Sequence, residues 1–119
     1  MSPTTQPGPR PGVSILLPCF REAQGLEEAV DCAQAAARRA GVRHEVIVLE
    51  DECNGSTEEL AAHIASMRRG VRVVLRVGGR GYGATVKSGI ATAVMPYVLI
   101  ADPGFEVRYE DFARFLGEL

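Results

Sequence analysis

Seven residues of this 119-residue chain, Glu22, Glu50, Asp51, Arg80, Gly81, Gly83 and Asp102, are of types that handle phosphates, riboses or metal ions, and each falls just past an apolar run. Carboxylates accept hydrogen bonds from hydroxyls and base N–H groups, and they ligate hard cations. The turn Gly78-Gly79-Arg80-Gly81-Tyr82-Gly83 lets backbone come close to an anion, and a helix starting there adds unpaired amides with a partial positive charge. Arg80 and Lys87 supply countercharge for a diphosphate. Acidic groups beside a basic glycine turn suit a nucleotide. Each feature also has a plain reading. The turn is equally an ordinary strand-to-helix connection, Glu50 and Asp51 equally solvated acids opening the next turn, and Asp102 equally an acceptor for the loop amides that follow it. The glycine string is not a P-loop, because no Gly-Lys-Ser/Thr ends it. Nor is it a dinucleotide fingerprint, because it follows the third apolar run and not the first.

The elements that must position these residues are written in the hydrophobic pattern. Four apolar runs, Val13–Leu17, Val46–Leu49, Val71–Leu75 and Tyr97–Ala101, alternate with helical periodicity. The first is too continuously apolar for a one-sided strand, which predicts a central position with helices on both faces, ended by Pro18. Leu26, Ala29, Val30, Ala33, Ala37 and Ala40 predict an amphipathic helix from about Ala23 to Ala40, stopped by Gly41. Ser56 stands three residues before Glu59, a capping-box spacing, and Leu60, Ile64 and Met67 form the predicted buried stripe of the next helix. Val86, Ile90 and Val94 predict a third helix, with Pro96 separating it from the fourth strand, and Phe112, Phe115, Leu116 and Leu119 predict a last helical turn or two. The expected fold is α/β, a mainly parallel sheet of about four strands with helices on both faces. Its ligand site lies beyond the carboxyl ends of the strands.

Composition narrows the function classes. With 46% hydrophobic and 24% charged residues the domain is an ordinary globular one, expected over residues 13–119. Residues 1–12 carry four of the seven prolines and no large apolar side chain beyond Met1, and are expected to form a mobile tail. A formal net charge of -2 gives no support to broad nucleic-acid binding. No apolar stretch reaches the ~20 residues of a membrane-spanning helix, and Met1–Gly12 lacks the apolar middle of a secretion signal. Cys19, Cys32 and Cys53 are odd in number and irregular in spacing, which argues against a disulfide framework and fits a reducing, cytoplasmic setting. No spacing of the cysteines with His44 or His63 supports a metal site.

In this order of pieces the chain resembles the nucleotide-binding half of family 2 glycosyltransferases with the Rossmann-like GT-A fold, especially those using dolichol- or polyprenyl-phosphate acceptors. Pro18-Cys19-Phe20-Arg21-Glu22 stands where such proteins carry a Pro-x-Tyr-Asn-Glu-like turn, with Pro18 and Glu22 matching and Phe20 and Arg21 substituted. Glu50-Asp51-Glu52-Cys53 with Thr57 stands where they carry Asp-Asp-Gly-Ser and a Thr. The resemblance implies a nucleoside-reading role for Asp51 and, less directly, for Glu50. The segment Gly79-Arg80-Gly81-Tyr82-Gly83-Ala84 through Lys87-Ser88-Gly89-Ile90 is the most specific match. The family's Asp-x-Asp appears as Asp102-Pro103-Gly104, so only Asp102 remains as a ligand for Mg2+ or Mn2+, with Glu106 the next carboxylate along. One carboxylate fewer implies a weaker cation site.

The resemblance implies a protein that binds a nucleotide or nucleotide-diphosphate sugar at the strand ends. Transfer needs a base for the acceptor and charge for the leaving diphosphate. A partner chain or a second copy is expected to complete the site, and exposed sheet edges make a homodimer the expected assembly. The alternative is a repurposed, non-catalytic domain whose cleft binds another small molecule or a protein.

Overall fold

The computed structural model describes residues 11–20, 25–51, 55–76, 81–101 and 108–119, with positions 20, 51, 55, 56 and 76 described by backbone alone. Strands and helices alternate: β1 (Val13–Phe20), α1 (Leu26–Ala40), β2 (His44–Asp51), α2 (Gly55–Met67), β3 (Val71–Arg76), α3 (Tyr82–Thr92), β4 (Tyr97–Ile100) and α4 (Tyr109–Leu116). The four strands form one sheet in the order β3-β2-β1-β4, and every pairing is parallel. This is the expected α/β architecture, with β1 and β2 central.

Period-two alternation divides each strand between two cores. Val13, Ile15 and Leu17 of β1 and Val46 and Val48 of β2 are buried with Leu26, Val30, Ala33 and Ala37 of α1, Ala61 and Ile64 of α2, and Phe112 and Leu116 of α4. Leu16, Ile47 and Leu49 point the other way and form a smaller cluster, against which Ala93 packs. That second face is covered by α3, which touches both β1 and β2. The chain passes from β1 to β2 to β3 in one direction, then α3 carries it back over β2 and β1 to set down β4 on the far side of β1.

Close approach of α3 requires Gly89, which is buried on the sheet side of the helix. A Cβ there would lie 2.5 Å from Cδ1 of Leu49 and 3.1 Å from Cδ1 of Leu16, both themselves fully enclosed.

Four expectations are corrected. Pro18 does not end β1, which continues to Phe20. Gly12 and Leu16 direct their carbonyls to the β4 side, where they accept from Tyr97 and Ala101. Pro18, two residues on, therefore turns its missing N–H past the last residue of β4, where no ladder bond is lost. Met67 is 68% exposed, in the last turn of α2. Val94 lies outside α3, which stops at Thr92, and is 72% exposed. Phe115 is also exposed, leaving Phe112 and Leu116 as the buried pair of α4. Positions 1–10 and the first residues of the range predicted for the first helix lie outside the described residues, and the side chain of Ser56 does too.

Gly89→Ala should lower stability by about 1–3 kcal/mol through overpacking against Leu16 and Leu49. Urea unfolding of the two proteins measures this, and an unchanged midpoint would mean that the helix rides higher on the sheet than described.

Candidate functional site

The helices that follow β1 and β2 lie on one face of the sheet and α3, which follows β3, lies on the other, so the carboxyl edge of the strands is where the chain changes face, the place where such sheets bind ligands. The parallel register fixes which residues share that edge. Cys19, Glu50 and Leu75 form one row across β1, β2 and β3, and Phe20, Asp51 and Arg76 form the next. Only residues 77–81 separate β3 from α3, so the helix starts at the same edge.

The start of α3 is shaped by Gly81, whose φ of 92° and ψ of 174° belong to a region that only glycine enters readily. Its carbonyl accepts the backbone N–H of Thr85 at 3.1 Å and the Thr85 hydroxyl at 2.9 Å, and Thr85 is itself buried. Gly81 offers no side chain to cap the first turn, and that turn carries no acidic residue. The first turns of α1, α2 and α4 all do, in Glu27 and Glu28, in Glu58, and in Glu110 and Asp111. The first turn of α3 thus brings no carboxylate of its own to the positive end of the helix dipole. A Cβ at Gly83 would meet nothing within 4 Å, so packing makes no demand for glycine there. Lys87 sits one turn further along, exposed.

At the end of β2, Glu50 is 2% exposed, and neither oxygen of its carboxylate has a hydrogen-bond partner among the described residues. Burial, and secondarily the negative charge of Glu58 on α2, pushes its pKa above the ordinary carboxylate range. Buried carboxylates are usually satisfied, and one left without donors is costly to ionise. Glu50 thus stands at the sheet edge as an acceptor whose capacity no described residue takes up.

Of the residues singled out from sequence, Pro18, Glu50, Gly81, Gly83 and Lys87 are described. Pro18 and Glu50 are buried in the sheet, and the other three are exposed on or beside α3. Phe20 and Asp51 are placed by backbone and are directly paired in register. Glu22, Arg80 and Asp102 lie outside the described residues. Arg76, in line with Phe20 and Asp51, was not foreseen; a basic residue closing an apolar run was the available signal. Among the described residues no three His, Cys, Asp or Glu side chains gather into a metal-sized cluster, and no helix is long and apolar enough to cross a membrane.

Comparison with known proteins agrees with this geometry. Residues 14–119 match the profile of glycosyl transferase family 2. An undecaprenyl-phosphate 4-deoxy-4-formamido-L-arabinose transferase of Pectobacterium atrosepticum is 26% identical over 105 residues, covering 87% of this chain and 32% of that protein. A mannosyltransferase of Pyrobaculum calidifontis, solved with GDP-Man and Mn2+, superposes with a TM-score of 0.74 at 19% identity, over 95% of this chain and 36% of that one. The glucosyl-3-phosphoglycerate synthase of Mycobacterium tuberculosis, solved with Mn2+, UDP and phosphoglyceric acid, gives 0.62 at 26% identity, over 78% of this chain and 33% of that one. The chain spans about a third of the length of each of these proteins.

Since the folded-state pKa of Glu50 lies above its unfolded value, its contribution to stability is fully present below the ordinary carboxylate range and is lost as pH rises through the folded pKa. Relative to wild type, Glu50→Gln should gain stability as pH climbs from mildly acidic to neutral. Denaturant unfolding across that interval measures the trend, and a difference that does not vary with pH would show that Glu50 is solvated or paired.

Proposed function

This chain belongs to glycosyl transferase family 2 and shares the GT-A fold over part of the length of its relatives, and from that premise we propose that its carboxyl sheet edge binds the nucleoside diphosphate of a nucleotide-sugar donor. The observation that carries the reading is the start of α3. A glycine-only backbone and a first turn without acids stand at the same edge as the ends of β1 and β2. Arg80 and the amides near Gly81–Gly83 hold the phosphates, and Lys87 adds charge one turn on. Asp51 accepts hydrogen bonds from the nucleoside, and Glu50, the residue before it on β2, offers further acceptors at the same strand end. In this reading Pro18, Phe20 and Glu22, at and after the end of β1, serve the nucleoside, and Asp102, after β4, serves the diphosphate. Helix starts favour anions by ~0.3–2 kcal/mol through the dipole, and charge-assisted bonds from Arg80 add more.

The donor set for a divalent cation is one carboxylate, Asp102, in the sequence Asp102-Pro103-Gly104. Mg2+ and its analogues take one or two carboxylates together with substrate phosphates. A lone aspartate therefore fits a cation that arrives with the diphosphate and does not fit one held by the protein alone. When bound, the cation supplies positive charge to the departing diphosphate.

Calorimetry of the full chain with UDP and GDP, with and without Mn2+, tests the reading. At least one nucleotide should bind, and Arg80→Ala should weaken it about tenfold, the scale of one hydrogen bond between charged groups. Absence of heat with either nucleotide, in both conditions, overturns the proposal, and stabilisation by an unrelated metabolite would favour a repurposed cleft. Mn2+ alone should give no measurable binding, and Asp102→Asn should remove the Mn2+ enhancement while sparing metal-free nucleotide binding.

A further inference from the structure

At the opposite end of the sheet from the candidate site lies a polar cluster, with Ser14 and Glu45 buried and Arg72 half-exposed. Ser14 of β1 and Glu45 of β2 are adjacent in register and buried at 0% and 8% exposure. The Ser14 hydroxyl donates to Oε2 of Glu45 at 2.6 Å. Arg72 of β3 donates through Nε to Oε1 of Glu45 at 3.1 Å, and its Nη2 lies 3.0 Å from the same oxygen.

All three side chains also grip the end of α3. Arg72 Nη2 donates to the carbonyl of Thr92, the last residue of the helix, at 2.7 Å. The N–H of Val94 donates to Oε2 of Glu45 at 2.8 Å, and the N–H of Met95 donates to Oγ of Ser14 at 3.1 Å. A guanidinium on a terminal carbonyl is also favourable to the helix dipole. Between this clamp and the helix start, Gly89 seats α3 against Leu16 and Leu49.

The helix leaves this anchor and ends at Gly81. An 11-residue helix is about 16 Å long. A tilt of roughly 4° about the clamped end would move the other end by about 1 Å, a displacement large on the scale of a hydrogen bond. From these contacts we propose that Arg72, held by Glu45, which Ser14 holds in turn, is a positioning residue for the ligand site, setting the pose of α3 and hence the direction of the amides at Gly81–Gly83. The proposal rests on the nucleotide reading above for its ligand and on the clamp geometry for its mechanism.

Amide NMR spectra of the full chain separate the two. Arg72→Met should shift the Gly81, Tyr82 and Gly83 amide resonances while leaving those of Ala33 and Ala37 in α1 in place, and should weaken UDP or GDP binding about tenfold. Arg72→Lys keeps the charge but loses the planar fork that spans Glu45 and Thr92, and should give smaller shifts of the same amides. It decides the question alone if Arg72→Met does not fold. Val30→Ala, which opens space under α1 instead, controls for general loss of stability and should leave the Gly81–Gly83 amides unmoved. Wild-type positions for those amides in the Arg72 variants, or equal shifts in Val30→Ala, overturn the positioning role. Should wild type bind neither nucleotide, the functional reading falls while the resonances still decide the mechanical one.

Discussion

Glu45 accepts two hydrogen bonds on Oε2, from Ser14 and the Val94 amide, and two approaches from the Arg72 guanidinium on Oε1. One carboxylate thereby ties together β1, β2, β3 and the segment that leads from α3 into β4. This junction is where the chain must stop being a helix and become a strand on the far side of β1. Burial raises the cost of ionising Glu45, but the bonds from Ser14, Val94 and Arg72, with the guanidinium charge, outweigh it and hold the carboxyl below its ordinary range. Its stabilisation is accordingly present above the ordinary carboxylate range and lost as pH falls through the lowered value. Hydrogen bonds to a charged group are worth about 1.5–3 kcal/mol each.

The same strand carries the opposite case five residues on. Glu45 begins the buried part of β2 and Glu50 nearly ends it, and both are enclosed. One is saturated with donors, and the other has none among the described residues. Burial acts on both in the same sense, so the opposite pKa directions come wholly from hydrogen bonds and neighbouring charge. A satisfied buried carboxylate explains itself by the structure it joins. One without donors reduces stability. The two glutamates thus mark the two ends of the sheet as different in kind.

The alternation of apolar runs and helical stripes made the order of elements readable, because each strand of a parallel sheet buried on both faces is nearly continuously apolar. The glycine-rich turn and the acids ending β2 were readable as a rim because strand ends in such sheets share one edge. What escaped was whatever depended on a neighbour. Pro18 stays within β1 only because β4 is too short to require its N–H. Val94 continues the helical spacing, yet its amide is taken by Glu45, so the helix ends before it. The alignment of Arg76 with Asp51 and Phe20 is a matter of register, which no single strand reveals. Glu50 and Asp51 read as one acidic pair, although adjacent strand residues meet different surroundings.

The two faces of the sheet also explain why polar clamping falls on α3. The face under α1, α2 and α4 buries a large apolar cluster, whereas the fully buried apolar strand residues beneath α3 are Leu16, Ile47 and Leu49. Burial is non-directional, so a small apolar contact holds a helix near the sheet without fixing its angle. Hydrogen bonds of definite length and direction at one end, and a glycine seat in the middle, supply the orientation that burial leaves free. A site made of backbone amides has no side-chain rotamers with which to correct a tilted helix, so its geometry is only as good as the pose of the helix that presents it. The clamp on Thr92, Val94 and Met95 is therefore where the fold and the edge at Gly81 meet in one mechanical problem.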